Sequence, residues 1–171
     1  MRILSIDIGW LNMGLALAEC KSSTDVDIEY VKKVNLDDYK YIYSNEVVDL
    51  VPLFIDDHKF VFDSADVILI ERQPPGGFGN IQTLIHYMCK DRVILISPNS
   101  LHAHFGMNNL DYGGRKIRSE QIATRFLREP IPYERKHDIT DAILMILYYN
   151  FRKNVHIFDQ YRYDIKEHFS S

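Results

Sequence analysis

Two short, unbroken apolar runs, Val67–Ile70 and Val93–Ile96, narrow the folds open to this chain more than any other feature. A strand with one wet face alternates apolar and polar residues, whereas a strand that is apolar throughout is covered on both faces. Helical crossovers between parallel strands supply such a cover, and the flanking sequence has helical spacing. Asn45–Phe62 places Val47, Val48, Leu50, Val51, Phe54 and Ile55 on one face, with Pro52 expected to kink or divide the helix. Ile81–Cys89 does the same with Ile81, Leu84, Ile85 and Met88.

Three strands come first. Arg2–Ile8 alternates and runs into Gly9; Leu11–Ala18 is a second apolar run; Val26–Val34 alternates with its lysines outward, as an edge strand would. Gly9, Asn12 and Gly14 between the first two predict a tight hairpin with close backbone approach. After Val93–Ile96, Ser100–Gly114 is rich in Gly and Asn and reads as a mobile loop. Ile117–Leu127 reads as a helix with Ile117, Ile122, Phe126 and Leu127 inward, broken by Pro130 and Pro132. A last long helix is expected over His137–Phe151, with Ile139, Ala142, Ile143, Ile146 and Leu147 inward. The order β-β-β-α-β-α-β-α-α predicts an α/β fold: a mixed, five-stranded central sheet flanked by helices. Residues 1–155 form one domain in this reading, and 156–171 a frayed C-terminal tail.

Composition excludes several classes. At 171 residues the chain suits a single domain with a substantial core. Cys20 and Cys89 make no disulfide framework and no zinc pattern, so both are expected to be reduced and structural. No apolar run approaches the ~18 residues of a membrane span, and the first strand begins at once, so no signal or transit peptide is expected. A soluble, cytoplasmic protein is the expectation. The net charge of −4 is unevenly spread. Asp25–Asp66 holds eleven acids and four lysines. Arg115–Lys136 holds seven basic residues, namely Arg115, Lys116, Arg118, Arg125, Arg128, Arg135 and Lys136. That stretch is either a solvated helix face or a surface for a polyanion.

It leads directly into acids. Asp7 ends the apolar strand of RILSIDIG, and Glu71 ends that of VILIERQ. Asp138 and Asp141, in KHDITDA, are three apart at a helix start and share a face. A helix-start Asp is more often a cap than a ligand, but a glutamate ending a buried strand needs a partner. If the two strands are neighbours, both acids emerge at one edge of the sheet. Four carboxylates at one point would repel each other unless a cation joined them. Their oxygens suit Mg²⁺, with Mn²⁺ able to substitute.

The motifs SIDIGWLNMGLALAE, LIERQ, ISP and KHDITDA resemble, in order and spacing, those of the ribonuclease H-like superfamily and its RuvC-type Holliday junction resolvases. ERQ, the ISP strand end and YGGRKIRSEQIA look closest to the poxvirus and fungal mitochondrial branch. The resemblance covers nearly the whole chain. It implies a magnesium-dependent endodeoxyribonuclease that makes symmetric paired nicks in four-way DNA junctions, in recombination or in resolving replication intermediates. Asp7, Glu71, Asp138 and Asp141 would hold two Mg²⁺ ions per site. Lys116 would contact the scissile phosphate or assist proton transfer, the alternative being a plain surface lysine. Arg115, Lys116, Arg118 and Lys136 would face DNA, while His137 reads as a simple helix-start residue. Phe78, in PPGGFG, would stack near the crossing point or, alternatively, pack in the core. The Ile81–Lys90 helix resembles the family's dimer helix, so a C2 homodimer is implied.

Other readings separate on other features. A ribonuclease H-like nuclease cutting an RNA–DNA hybrid or a flap would use the same acids. An actin-like phosphate-binding domain would use Asp7, Gly9, Asn12 and Gly14, but needs a longer chain and leaves Glu71 and the paired aspartates idle. A non-catalytic DNA-binding module would keep junction binding without cleavage, and has no use for the four acids. His102 and His104 read as loop residues, and Tyr148, Tyr149, Tyr161 and Tyr163 either stack on DNA or close a core.

Overall fold

Alternation along the first strand sets the layers. In β1 (Arg2–Asp7), Leu4 and Ile6 face one side of the sheet and Ile3 the other. In β4 (Val67–Glu71), Ile68 and Ile70 match the first side and Leu69 the second. Side chains two apart share a face. Asp7 and Glu71 therefore emerge on the side of Ile3 and Leu69.

The computed structural model describes residues 1–40, 45–133 and 135–168, with side chains through residue 154. β1, β2 (Met13–Cys20) and β3 (Val26–Val34) form an antiparallel meander. β4 joins β1 in parallel, and β5 (Val93–Ile96) joins β4 in parallel. The order β3-β2-β1-β4-β5 is the mixed five-stranded sheet expected.

Helices cover both faces. Phe54 of α1 (Val47–Asp57), Phe62 of α2 (Lys59–Ser64), and Ile81 and Ile85 of α3 (Gly79–Cys89) pack on the face of Leu4 and Ile6. Ile139, Ala142, Ile143 and Ile146 of α6 (His137–His168) pack on the face of Ile3, Ala16 and Leu69. No helix among the described residues is long and apolar enough to cross a membrane. Both cysteines are buried thiols.

Several local expectations change. Pro52 sits inside α1 without ending it, since its missing N–H removes only one hydrogen bond. The break falls at His58, whose backbone N–H bonds back to Phe54 at 3.2 Å and whose ring Nδ1 is 3.0 Å from the same carbonyl. The stretch read as a mobile loop contains helix. Pro98 opens α4 (Pro98–His104), where a proline costs no helical hydrogen bond. Asp111 caps α5 (Tyr112–Ala123) by accepting from the Gly114 N–H at 2.7 Å. His102 and His104 thus lie on a helix, and no metal-binding group forms around them among the described residues. Ile117 points outward at 62% exposure, because Ser119 and Ala123 form the buried face of α5. Tyr148 and Tyr149 pack against the core, while the side chains of Tyr161 and Tyr163 lie outside those described. The backbone of α6 continues to His168, through most of the segment read as a tail.

Candidate active site

Asp7 is the last residue of β1 and Glu71 the last of β4, and those strands are parallel neighbours with Ile6 opposite Ile70. The two acids leave the sheet side by side. Asp138 and Asp141 reach the same place because α6 begins against the sheet. The helix comes close at Gly14, opposite Asp7 in β2: a Cβ there would lie 2.1 Å from the Asp138 carbonyl oxygen. Glycine at this position lets the first turn of α6 touch the strand. Gly9 serves the hairpin itself, since a Cβ there would lie 2.5 Å from the Asn12 carbonyl oxygen.

All four acids line one cavity of about 250 Å³. Burial, and then Asp141, Glu71 and Asp138 in turn, push the Asp7 pKa well above the usual carboxylate range. Burial also raises Glu71, whereas its hydrogen bond with Asp7 opposes the rise. Of the two, Asp7 is the more strongly biased toward its protonated form, whose O–H can donate a hydrogen bond to the Glu71 carboxylate. Burial lifts Asp141 to about 6, against the lowering effect of the Ser119 hydroxyl that bonds to it. These are the marks of a site short of positive charge.

Cations surround it. Arg115, Lys116 and Arg135 line the same cavity. The Lys116 ammonium lies 3.0 Å from His137 Nε2 and 3.9 Å from the centre of the Tyr112 ring. Burial lowers the His137 pKa, so its neutral ring accepts from the lysine. Arg135 takes both oxygens of Asp138, at 2.8 and 3.1 Å. In this arrangement no three of the described acids and histidines stand grouped as a cation's ligands. The donors are nonetheless all carboxylate oxygens, which fits a hard divalent ion. Asp138 is committed to Arg135 and would have to turn to join the others.

The residues read from sequence divide three ways. Asp7, Glu71, Asp138, Asp141, Lys116 and Arg115 come together in the cavity. Phe78 is 37% exposed, not a core residue, and lines an adjoining recess with Trp10, Leu11, Asp7, Arg135 and Asp138. Arg118 is exposed and lines neither space. Lys136 also lies outside both and pairs with Glu120 at 3.5 Å. His137 opens α6 as expected, but also holds Lys116.

Of the cavity's polar residues, Tyr112 and Ser119 had no reading of their own, Arg135 was read only as part of the basic stretch and His102 only as a loop residue. Arg135 carries a local signal, its place three residues before Asp138, within reach of that carboxylate. His102 has none, because only the packing of α4 brings it to the cavity. Burial, and then Arg115, keep the His102 pKa below that of a free imidazole.

No family model and no curated protein sequence matches this chain. Solved structures do match. The chain superposes on Thermus thermophilus RuvC with a TM-score of 0.62 at 13% identity, covering 91% of this chain and 97% of that one. The yeast mitochondrial Holliday junction resolvase gives 0.62 at 18% identity, covering 93% and 85%. The fowlpox virus Holliday junction resolvase gives 0.57 at 18%, covering 87% and 96%. Four acids at the sheet edge, on a five-stranded sheet in this order, thus sit on the ribonuclease H-like fold of the RuvC-type resolvases.

Proposed function

We propose that the protein is a Holliday junction resolvase, a divalent-metal-dependent endodeoxyribonuclease that nicks four-way junctions in symmetric pairs. The observation that carries this is the meeting of four acids, from β1, β4 and α6, in one cavity edged by Arg115, Lys116 and Arg135. The junction as substrate comes from the likeness to RuvC and fowlpox resolvase structures, both of which are also known in complex with junction DNA.

Two bound Mg²⁺ ions would supply an ionised water and neutralise the leaving 3′ oxygen. Asp7, Glu71, Asp138 and Asp141 would hold them. Lys116, held between Tyr112 and His137, would meet the scissile phosphate. Phe78 at the rim would offer a face for an unpaired base, a contact of about 1–3 kcal/mol. Two symmetric cuts need two sites, and the outer face of α3 is the surface we assign to a C2 dimer. Its Tyr87 is 68% exposed, and Met88, expected on the face of Ile81 and Ile85, is turned outward at 44% exposure.

The test is a labelled four-way junction incubated with purified protein in Mg²⁺ or in EDTA. Paired nicks at symmetric positions are expected with the metal and none without it. Equal cutting of an RNA–DNA hybrid would replace the junction reading with that of a general ribonuclease H-like nuclease. Lys116→Ala is expected to slow single-turnover cleavage about 10²-fold, the usual loss for one aimed cationic or hydrogen-bonding group. Mn²⁺ affinity should barely move in that variant. A lysine that only decorates the surface would leave the rate within twofold of wild type.

A further inference from the structure

The pairing of Arg135 with Asp138 is out of keeping with a plain metal ligand. The Asp138 side chain is 8% exposed, and both its oxygens are occupied by the guanidinium, Nε at 2.8 Å and Nη2 at 3.1 Å. A bidentate pair of this kind is among the stronger charge-assisted contacts. Arg135 itself is 45% exposed and lies before the first turn of α6, outside any helix. It lines both the acid cavity and the recess of Phe78 and Trp10. A buried acid is thus held by a cation that can leave it without unwinding a helix.

We propose that Arg135 is a stand-in cation that exchanges partners. In the metal-free protein it neutralises Asp138 and keeps the acid from its three neighbours. Arg135 must release Asp138 before that carboxylate can serve a divalent ion. The freed guanidinium remains at the cavity rim, where its planar fork matches a phosphate of the bound strand. One residue would therefore hinder metal entry and then help hold DNA. The first half needs only that the acids bind a divalent ion; the second rests on the nuclease reading above.

The two halves separate experimentally. Mn²⁺ binding, measured by calorimetry on the full chain without DNA, is expected to be about tenfold tighter in Arg135→Gln than in wild type. Lys136→Gln removes the same charge one residue away, from an ammonium paired with Glu120, and is expected to change affinity less than twofold. Equal or weaker Mn²⁺ binding in Arg135→Gln would overturn the exchange, and so would an equal gain in Lys136→Gln. Should Arg135→Gln not melt cooperatively, Arg135→Lys keeps the charge but loses the fork, and about threefold tighter binding is expected. For the second half, junction affinity is read with Ca²⁺, which supports binding while holding back cleavage. Arg135→Gln is expected to weaken it about fivefold despite its tighter metal binding. Unchanged junction affinity with tighter Mn²⁺ binding would leave Arg135 as a metal competitor and remove its DNA contact. Absence of any junction cleavage by wild type would count against the resolvase reading and leave the Mn²⁺ comparison standing.

Discussion

Asp7→Asn is expected to abolish cleavage and, in EDTA, to stabilise the protein. The first effect follows from the proposed function, in which Asp7, at the end of β1, would be a metal ligand. Several kcal/mol of transition-state stabilisation go with it, a loss of about 10³-fold or more in single-turnover rate. The second follows from the charge of the metal-free cavity. Burial and three neighbouring carboxylates raise the Asp7 pKa, and Asp141 is lifted to about 6. An acid whose pKa is higher folded than unfolded binds its proton better in the fold. Its contribution is fully present below the unfolded value near 4 and is lost as pH rises through the folded value. Metal-free wild type should therefore lose stability from about pH 4 through 6 and onward to neutrality. Asparagine has neither a proton to take up nor a charge to bury on folding, so it escapes that penalty. A gain of roughly 1–2 kcal/mol near neutral pH is expected, about 2–8 °C in melting temperature for a chain this size. Melts of both proteins in EDTA at several pH values check it. The difference should shrink toward pH 4; a constant difference, or none, would mean that Asp7 is not held in a repelling cluster.

Gly14→Ala carries the largest structural effect. The added Cβ would meet the Asp138 carbonyl oxygen at 2.1 Å, its carbon at 2.4 Å and the Ile139 nitrogen at 2.9 Å. All three are backbone atoms, so no rotamer change relieves the clash and the start of α6 must retreat from β2. Overpacking costs about 1–3 kcal/mol where side chains can adjust. Here about 3 kcal/mol or more is expected, a fall of roughly 6–12 °C in melting temperature. Asp138 and Asp141 would move with the helix, so Mn²⁺ binding should weaken even in the fraction that stays folded. Gly79→Ala is the matched control, because a Cβ at Gly79 meets nothing within 4 Å. Equal melting of the two variants would show that α6 does not press on β2.

The acids and the fold class were legible in the chain because both are written locally. An apolar run that ends in a carboxylate states its own geometry: the run goes into the sheet, and period two decides the face on which Asp7 and Glu71 emerge. Asp138 and Asp141 announce themselves by helical spacing. The misreadings were local too, but were decided by contacts from elsewhere. Ile117 looked inward by hydrophobicity, yet α5 turns its small residues, Ser119 and Ala123, inward. Ser100–Gly114 looked like loop from its Gly and Asn, yet Pro98 and Asp111 start two helices within it or at its edges. Phe78 read better as core than as rim, yet the PPGGFG loop leaves it 37% exposed beside the recess of Trp10.

By itself, then, the sequence determined the strand runs, the acids at their ends and the sandwich they must form, since these depend on residues within a few positions of each other. Tertiary structure decided that β1 and β4 are neighbours and that α6 starts against Gly14. It also decided that Arg135 closes on Asp138 and that Tyr112 and His137 hold Lys116 between them. Those are relations between segments far apart in the chain, and periodicity within a segment carries no information about its partner. What turns four separate acids into one site is the order of the strands and the space that a missing side chain leaves at Gly14.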